Sequence, residues 1–278
     1  MENQGYTGRG VCVAVLDTGI YPHRDFDRRI VAFYDYIQHR SLPYDDNGHG
    51  THVCGILAGS GVASQGRYRG IAPGCCLIGM KVLDRSGNGR KEDVLKALDW
   101  IIRNKDEYGI RIVNISVGTT YGHSTHRDVL IQGVEQAWDS GLIVVAAAGN
   151  RGPAPGSVTS PGSSRKVITV GSSDLMTGRS GVSGRGPTAE CICKPDLVAP
   201  GNRVTACAPG AGNGYGVKSG TSMSTPLISG AVALMLEKYP CLTNGEVKRM
   251  LLESTDDLGL SHNQQGRGLF NLKKFLAH

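Results

Sequence analysis

Short apolar runs alternating with stretches of helical periodicity constrain this chain more than any other feature. Residues 11–16 read Val-Cys-Val-Ala-Val-Leu, and the runs at 77–82, 112–116, 143–148 and 167–170 are almost as continuously apolar. A strand that is apolar at successive positions, rather than at every second one, has to be covered on both faces. Between these runs, Val94, Leu95, Leu98, Ile101 and Ile102 recur at helical spacing, with Asp93, Lys96 and Arg103 on the opposite face. Val129, Leu130, Val134, Ala137 and Trp138 form a second stripe, stopped by Gly141. A C-terminal helix carries Val247, Met250, Leu251 and Leu252, and Thr243 with Glu246 makes a capping box at its start. Alternation of this kind is the pattern of stacked βαβ units. The expected fold is α/β, in three layers, with a mostly parallel central sheet and helices on both faces.

At 278 residues the chain can bury roughly three quarters of its unfolded surface and needs no staples. With no internal repeat or low-complexity linker, residues 1–278 read as one domain. The formal charge of +6 is scattered, and 6% aromatic residues leave little for base stacking, so nucleic acid is not expected as a partner. No apolar stretch approaches the ~20 residues needed to span a bilayer, so no membrane partner is expected either. Met1-Glu2-Asn3-Gln4 shows neither a basic n-region nor an apolar h-region. That points to the cytoplasm, the alternative being a mature domain cut from a secreted precursor. Eight cysteines are present, and neither Cys75-Cys76 nor Cys191-Ile192-Cys193 has zinc-ligand spacing. They are expected to be reduced, buried and structural.

The chemistry is concentrated in a few glycine-flanked segments. Asp17 follows the first apolar run directly, within Val15-Leu16-Asp17-Thr18-Gly19. His49 opens an apolar helix after the turn Asp45-Asp46-Asn47-Gly48, within His49-Gly50-Thr51-His52-Val53. Ser222 stands in Gly220-Thr221-Ser222-Met223-Ser224-Thr225-Pro226, ahead of a small-residue helix expected over 228–235. A serine is a poor nucleophile until a base takes its proton and a carboxylate holds that base in the right tautomer. Asn150 ends a strand through Gly149 and offers an amide donor to an oxyanion. In open α/β sheets such residues gather beyond the carboxyl ends of the strands. His52 is expected to be a packed structural histidine, and Asp25, Asp45 and Asp46 to solvate a loop.

With those four motifs in order, the chain resembles the subtilisin-like serine proteases over nearly its whole length. Weaker matches are Gly70-Ile71-Ala72-Pro73, Arg185-Gly186-Pro187 and the segment Lys194-Pro195-Asp196-Leu197-Val198-Ala199-Pro200-Gly201. The resemblance implies a three-layer subtilisin-like fold and a serine endopeptidase of broad specificity, most similar to the intracellular bacterial members. It makes Ser222 the nucleophile, His49 the general base and acid, and Asp17 the orienting carboxylate. Asn150 and the Ser222 amide would form the oxyanion hole. It places Gly87, Asn88 and Gly89 opposite Ser116, Val117 and Gly118, sandwiching an extended peptide by β-augmentation. The family often has a second glycine where this chain has Thr119. Arg151 would stand at the rim of the pocket for the residue before the scissile bond.

The implied partners are peptide or protein substrates and an N-terminal inhibitory propeptide, which this sequence lacks. The chemistry implies no cofactor and no catalytic metal. Many members hold structural calcium in a loop that here, at 59–69, contains no carboxylate, while calcium wants several hard oxygens. Asp196 is the carboxylate that could join carbonyl ligands at another family site. Two alternatives stay open at this point: a catalytically silent regulatory protein on the same fold, and a peptide acyl-transferase or cyclase.

Overall fold

Strand β1 (Cys12–Asp17) shows why its sequence is apolar at every position. Val13 and Val15 point into a core shared with helices α1 (His49–Ala58) and α4 (Thr221–Lys238). Ala14 and Leu16 point into a second core shared with α2 (Lys91–Tyr108) and α3 (Val129–Asp139). All four side chains are almost fully buried, and each large aliphatic one contributes about 1.5–3 kcal/mol on burial. The alternation of strand side chains thus feeds two cores at once. The computed structural model describes residues 5–118, 128–176, 182–210 and 212–278, so the first four residues and Thr119 lie outside the described residues.

The sheet also contains β2 (Ile30–Asp35), β3 (Cys76–Lys81), β4 (Ile110–Ile115), β5 (Ile143–Ala147), β6 (Ile168–Ser172) and β7 (Leu197–Ala199). With the short β10 (Thr255–Asp256) and β11 (Leu269–Phe270), its order is β10-β11-β7-β6-β5-β4-β1-β3-β2. Every neighbouring pair among the described residues is parallel except β10 with β11. Strands β8 (Val204–Cys207) and β9 (Tyr215–Lys218) form a separate antiparallel hairpin. The helices α5 (Asn244–Glu253), α6 (His262–Gln265) and α7 (Leu272–Ala277) complete the chain. At the start of α5, Thr243 Oγ1 accepts the Glu246 N–H and Glu246 Oε2 accepts the Thr243 N–H, as the capping box requires.

Two expectations need correction. Helix α4 begins at Thr221, not at 228, and runs through Pro226, so Ser222 lies inside its first turn. All eight cysteines are unpaired, but only Cys12, Cys54, Cys75 and Cys207 are buried; Cys76 is half-buried, and Cys191, Cys193 and Cys241 are exposed. The exposed three sit outside the apolar runs, where no core reaches them.

His52 joins α1 to the β8–β9 hairpin. Its Nε2 stands 3.0 Å from the Val204 carbonyl and 3.1 Å from that of Gly216. Two acceptors facing one nitrogen require that nitrogen to carry the hydrogen. Nδ1 is then an acceptor, buried and without a partner, and a second proton there finds no acceptor. Burial accordingly pushes this histidine down to about 4. The unfolded chain, with a histidine near 6.5, takes up that proton first as the pH falls. Stability from His52 is therefore complete above about 6.5 and declines towards pH 4, by about 3 kcal/mol in all. Urea unfolding at pH 7 and pH 4.5 should show the wild type losing more stability than His52→Gln, which keeps a donor for the two carbonyls but binds no proton. Equal losses would contradict this assignment.

Candidate active site

Asp17 closes β1 and is 1% exposed. Its Oδ1 lies 2.7 Å from His49 Nδ1 and accepts the Thr18 N–H at 2.7 Å; Oδ2 is buried with no partner. His49, the first residue of α1, keeps its ring 25% exposed. The glycine after it has a steric cause. A Cβ at Gly50 would stand 2.1 Å from the Gly19 carbonyl oxygen and 3.1 Å from Asp17 Oδ1. Burial alone pushes the His49 imidazole down, but the Asp17 carboxylate more than offsets this and holds it above the ordinary histidine range.

Asp45, expected to solvate a loop, is buried and organises this corner. Its Oδ1 accepts from Thr18 Oγ1 (2.9 Å), Asn47 N (3.1 Å) and Gly48 N (2.8 Å). Oδ2 accepts from Thr51 N (2.9 Å) and Thr51 Oγ1 (2.6 Å). Burial would raise this carboxyl, but the hydrogen bonds hold it below the usual carboxylate range. Asp46 pairs with buried Lys81 at 2.7 Å, and Asp25 is fully buried. The expectation of solvating carboxylates holds for Asp46, which stays exposed, and fails for Asp45 and Asp25. Asp45 is enclosed by the start of the following helix and by Thr18, and Asp25 meets donors from Ala63 and Tyr215.

Ser222 enters the site on the first turn of α4, where backbone N–H groups have no helical partner. Gly220 precedes it with φ of 141°, and a Cβ there would lie 3.0 Å from Asn150 Nδ2. The Ser222 hydroxyl donates to the Ser116 carbonyl at 2.7 Å, and Ser116 Oγ donates back to the Ser222 carbonyl at 3.2 Å. Pro226 makes the second bond available. With no N–H, it leaves the carbonyl four residues back, that of Ser222, without its helical donor. Ser116 Oγ is held in turn by Asn114 Nδ2 (3.0 Å), whose Oδ1 accepts from Ser229 Oγ (2.9 Å). Asn150 Oδ1 accepts the Thr221 N–H at 3.0 Å and the Thr221 hydroxyl at 3.3 Å. Its donor end, Nδ2, is thereby left for another acceptor.

Two cavities meet at these residues. One, of about 250 Å³, is lined by Ser222, Asn150, Arg151, Thr221, Ser116 and Gly118, among others. The larger, of about 700 Å³, is lined by His49, the Gly87, Asn88 and Gly89 segment, and Ser116, Val117 and Gly118. Ser116 and Gly118 belong to both. The structure thus places His49 with both substrate segments on the larger cavity and Ser222, Asn150 and Arg151 on the smaller one. Asp17 stands behind His49, and the Ser222 hydroxyl is bonded to Ser116. Thr159, which sequence reasoning missed, walls the smaller cavity. Its Oγ1 would lie 2.5 Å from a Cβ at Gly118 and 2.4 Å from one at Gly149, and nothing in its local sequence marks it.

Calcium does not fit the residues that the family resemblance would offer it. Asp196 Oδ2 accepts from Lys194 Nζ at 2.6 Å and Oδ1 faces Lys248 Nζ at 3.3 Å. Lys248 Nζ also takes the carbonyls of Arg165, Lys166 and Val167 at 3.1, 3.0 and 2.9 Å. Ammonium groups hold the oxygens an ion would need. Near the 59–69 loop, His23, Asp25 and Cys207 stand within 4.8 Å of one another, but each ligand atom has a hydrogen-bond partner. Asp25 accepts from Ala63 N (2.8 Å), Tyr215 OH (2.7 Å) and Cys207 Sγ (3.6 Å), and His23 Nδ1 accepts the Asp25 N–H at 3.1 Å.

A model of the subtilase family matches residues 8–268. Serine protease AprX of Bacillus subtilis (strain 168) is 44% identical over 282 residues, which cover 92% of this chain and 63% of that protein. Subtilisin DY of Bacillus licheniformis is 34% identical over 275 residues, covering 98% of this chain and 93% of that protein. The crystal structure of a cold-adapted subtilisin-like serine proteinase superposes with a TM-score of 0.78 at 33% identity, over 97% of this chain and 89% of that one. This chain therefore spans about 63% of the length of AprX.

NMR titration of the His49 ring should give a value above 6.5 in the wild type. In Asp17→Asn the carboxylate that offsets burial is gone, so the value should fall. An unchanged titration would show that the 2.7 Å contact does not set the imidazole's basicity.

Proposed function

Since this chain belongs to the subtilase family, we propose that it is a serine endopeptidase acting through an acyl-enzyme on Ser222. The observation that carries this reading is a 2.7 Å Asp17–His49 pair at one cavity and Ser222 with Asn150 at the next, the two cavities adjoining along Ser116 and Gly118. An extended peptide lies between Gly87–Gly89 and Ser116–Gly118 and pairs with their backbone. The pairing takes up the Ser116 carbonyl, and the Ser222 hydroxyl, released from that acceptor, turns to His49 Nε2. Oγ attacks the scissile carbonyl as its proton passes to Nε2. Asp17 accepts the Nδ1–H throughout and stabilises the imidazolium. The oxyanion is met by the Ser222 N–H and Asn150 Nδ2. His49 gives its proton to the leaving amine, and water then attacks the ester by the same route in reverse.

None of these steps draws on a metal or cofactor, and the ammonium groups at Asp196 support a fold held without divalent cations at that position. Among the described residues no helix is long and apolar enough to cross a membrane. Eight unpaired cysteines support a reducing compartment, the cytoplasm.

A fluorophosphonate probe should label the wild type at one serine and leave Ser222→Ala unlabelled; labelling that persists in the variant would remove Ser222 from the role. Asn150→Leu should keep the labelled serine but lose about two to three orders of magnitude in turnover of a peptide substrate.

Arg151, exposed on the rim of the smaller cavity, should favour an acidic residue before the scissile bond. In a peptide panel varied at that position, Arg151→Ala should lower kcat/KM for Glu relative to Lys by up to about fivefold, the size of an exposed ion pair. An unchanged ranking would exclude this role.

A further inference from the structure

One buried cation takes no part in the chemistry above. Lys81 is the last residue of β3, is 0% exposed, and is the register partner of Asp17 on β1. Its Nζ makes three hydrogen bonds, to the Thr18 carbonyl at 2.5 Å, Asp46 Oδ1 at 2.7 Å and the Leu83 carbonyl at 2.9 Å. The Tyr44 ring lies 5.1 Å from the same atom. An ammonium has three hydrogens, and here each has its own acceptor.

Those acceptors belong to three different segments at the edge of the sheet. Thr18 follows Asp17; Asp46 stands in the turn that delivers His49; Leu83 starts the segment leading to Gly87 and Gly89. Stability alone does not call for a lysine at such a place. Replacing a buried ion pair with an apolar side chain of similar volume is often neutral or stabilising. A fully satisfied buried polar group does fix the parts it joins in one geometry. Methionine fills the volume but cannot hold three segments in register.

We infer that Lys81 is a positioning residue for peptide hydrolysis, setting the Asp17–His49 pair and the 83–89 substrate segment relative to each other. The inference rests on the endopeptidase reading. Misplacement of about 1 Å can cost a hundredfold in rate, so loss of the tether should appear in the chemical step and not in the number of competent sites.

The test is active-site titration with a fluorophosphonate, followed by kcat and KM per titrated site, on the wild type, Lys81→Met, Lys81→Arg and Asp46→Asn. Lys81→Met should titrate fully at Ser222 and lose about tenfold to a hundredfold in kcat per site. Lys81→Arg, which keeps charge and donors in a different shape, should recover part of that loss. Asp46→Asn, which leaves both carbonyl contacts, should stay within about threefold of the wild type. Wild-type kcat per titrated site in both Lys81 variants would overturn the inference. So would a loss lying wholly in the titratable fraction, since that is what a merely structural lysine predicts. If Lys81→Met does not fold, Lys81→Arg carries the decision by the same measurement. A wild type that does not titrate at Ser222 would overturn the endopeptidase reading itself, a result distinct from any of these.

Discussion

The arrangement of the site depends above all on five hydrogen bonds converging on the buried carboxylate of Asp45. Helix α1 begins at His49 with Gly48 before it, a residue that has no side chain to cap the helix. Asp45 supplies the missing acceptor for the Gly48 and Thr51 N–H groups, and its charge sits at the positive end of the helix. The same carboxylate takes the hydroxyl of Thr18, the residue after Asp17. Bonds to a charged acceptor are worth about 1.5–3 kcal/mol each, although five on one group do not add independently. The carboxylate therefore fixes where the helix starts and where the imidazole on its first residue meets Asp17.

What could be read in the sequence followed from periodicity and from adjacency to strand ends. A parallel sheet covered on both faces leaves a run with no polar position, as in β1, and its carboxyl edge collects whatever polar residues follow. Asp17 and Asn150 were legible for that reason, whereas Ser116 was placed by the family resemblance. Asp45 and Asp25 were not, because a carboxylate in a turn looks the same whether water or five donors surround it. Lys81 was hidden inside an apolar run, where its place in the strand said nothing about the carbonyls at its tip. The true start of α4 was hidden as well, since the Ser222 carbonyl left open by Pro226 takes its donor from Ser116, more than a hundred residues away in the chain.

Several positions where oxygens crowd together are held by the chain's own cations. Lys248 gathers three consecutive carbonyls, Lys194 bonds to Asp196, Lys81 gathers two carbonyls and a carboxylate, and Arg29 bridges the carbonyls of Asp25 and Cys75. A tethered cation, unlike a bound ion, does not diffuse away. Crowded carbonyls in loops otherwise repel one another or await solvent. These side chains let the loops pack closely, and the 59–69 segment closes on the body of the protein through Ala63 and Asp25.

Pro226 has a consequence for how portable the nucleophile is. The Gly220–Pro226 segment reads as a self-contained cassette, but it is chemically unfinished. Its proline leaves the Ser222 carbonyl seeking a donor, its glycine exists to make room for Asn150, and the donor itself comes from Ser116 on another strand. Grafted onto a foreign helix, the same seven residues would bring a kink and an unmet carbonyl along with the serine. The heritable unit is the helix start together with the strand beside it, and an exchange between relatives that separates the two breaks the site even when every motif letter is kept.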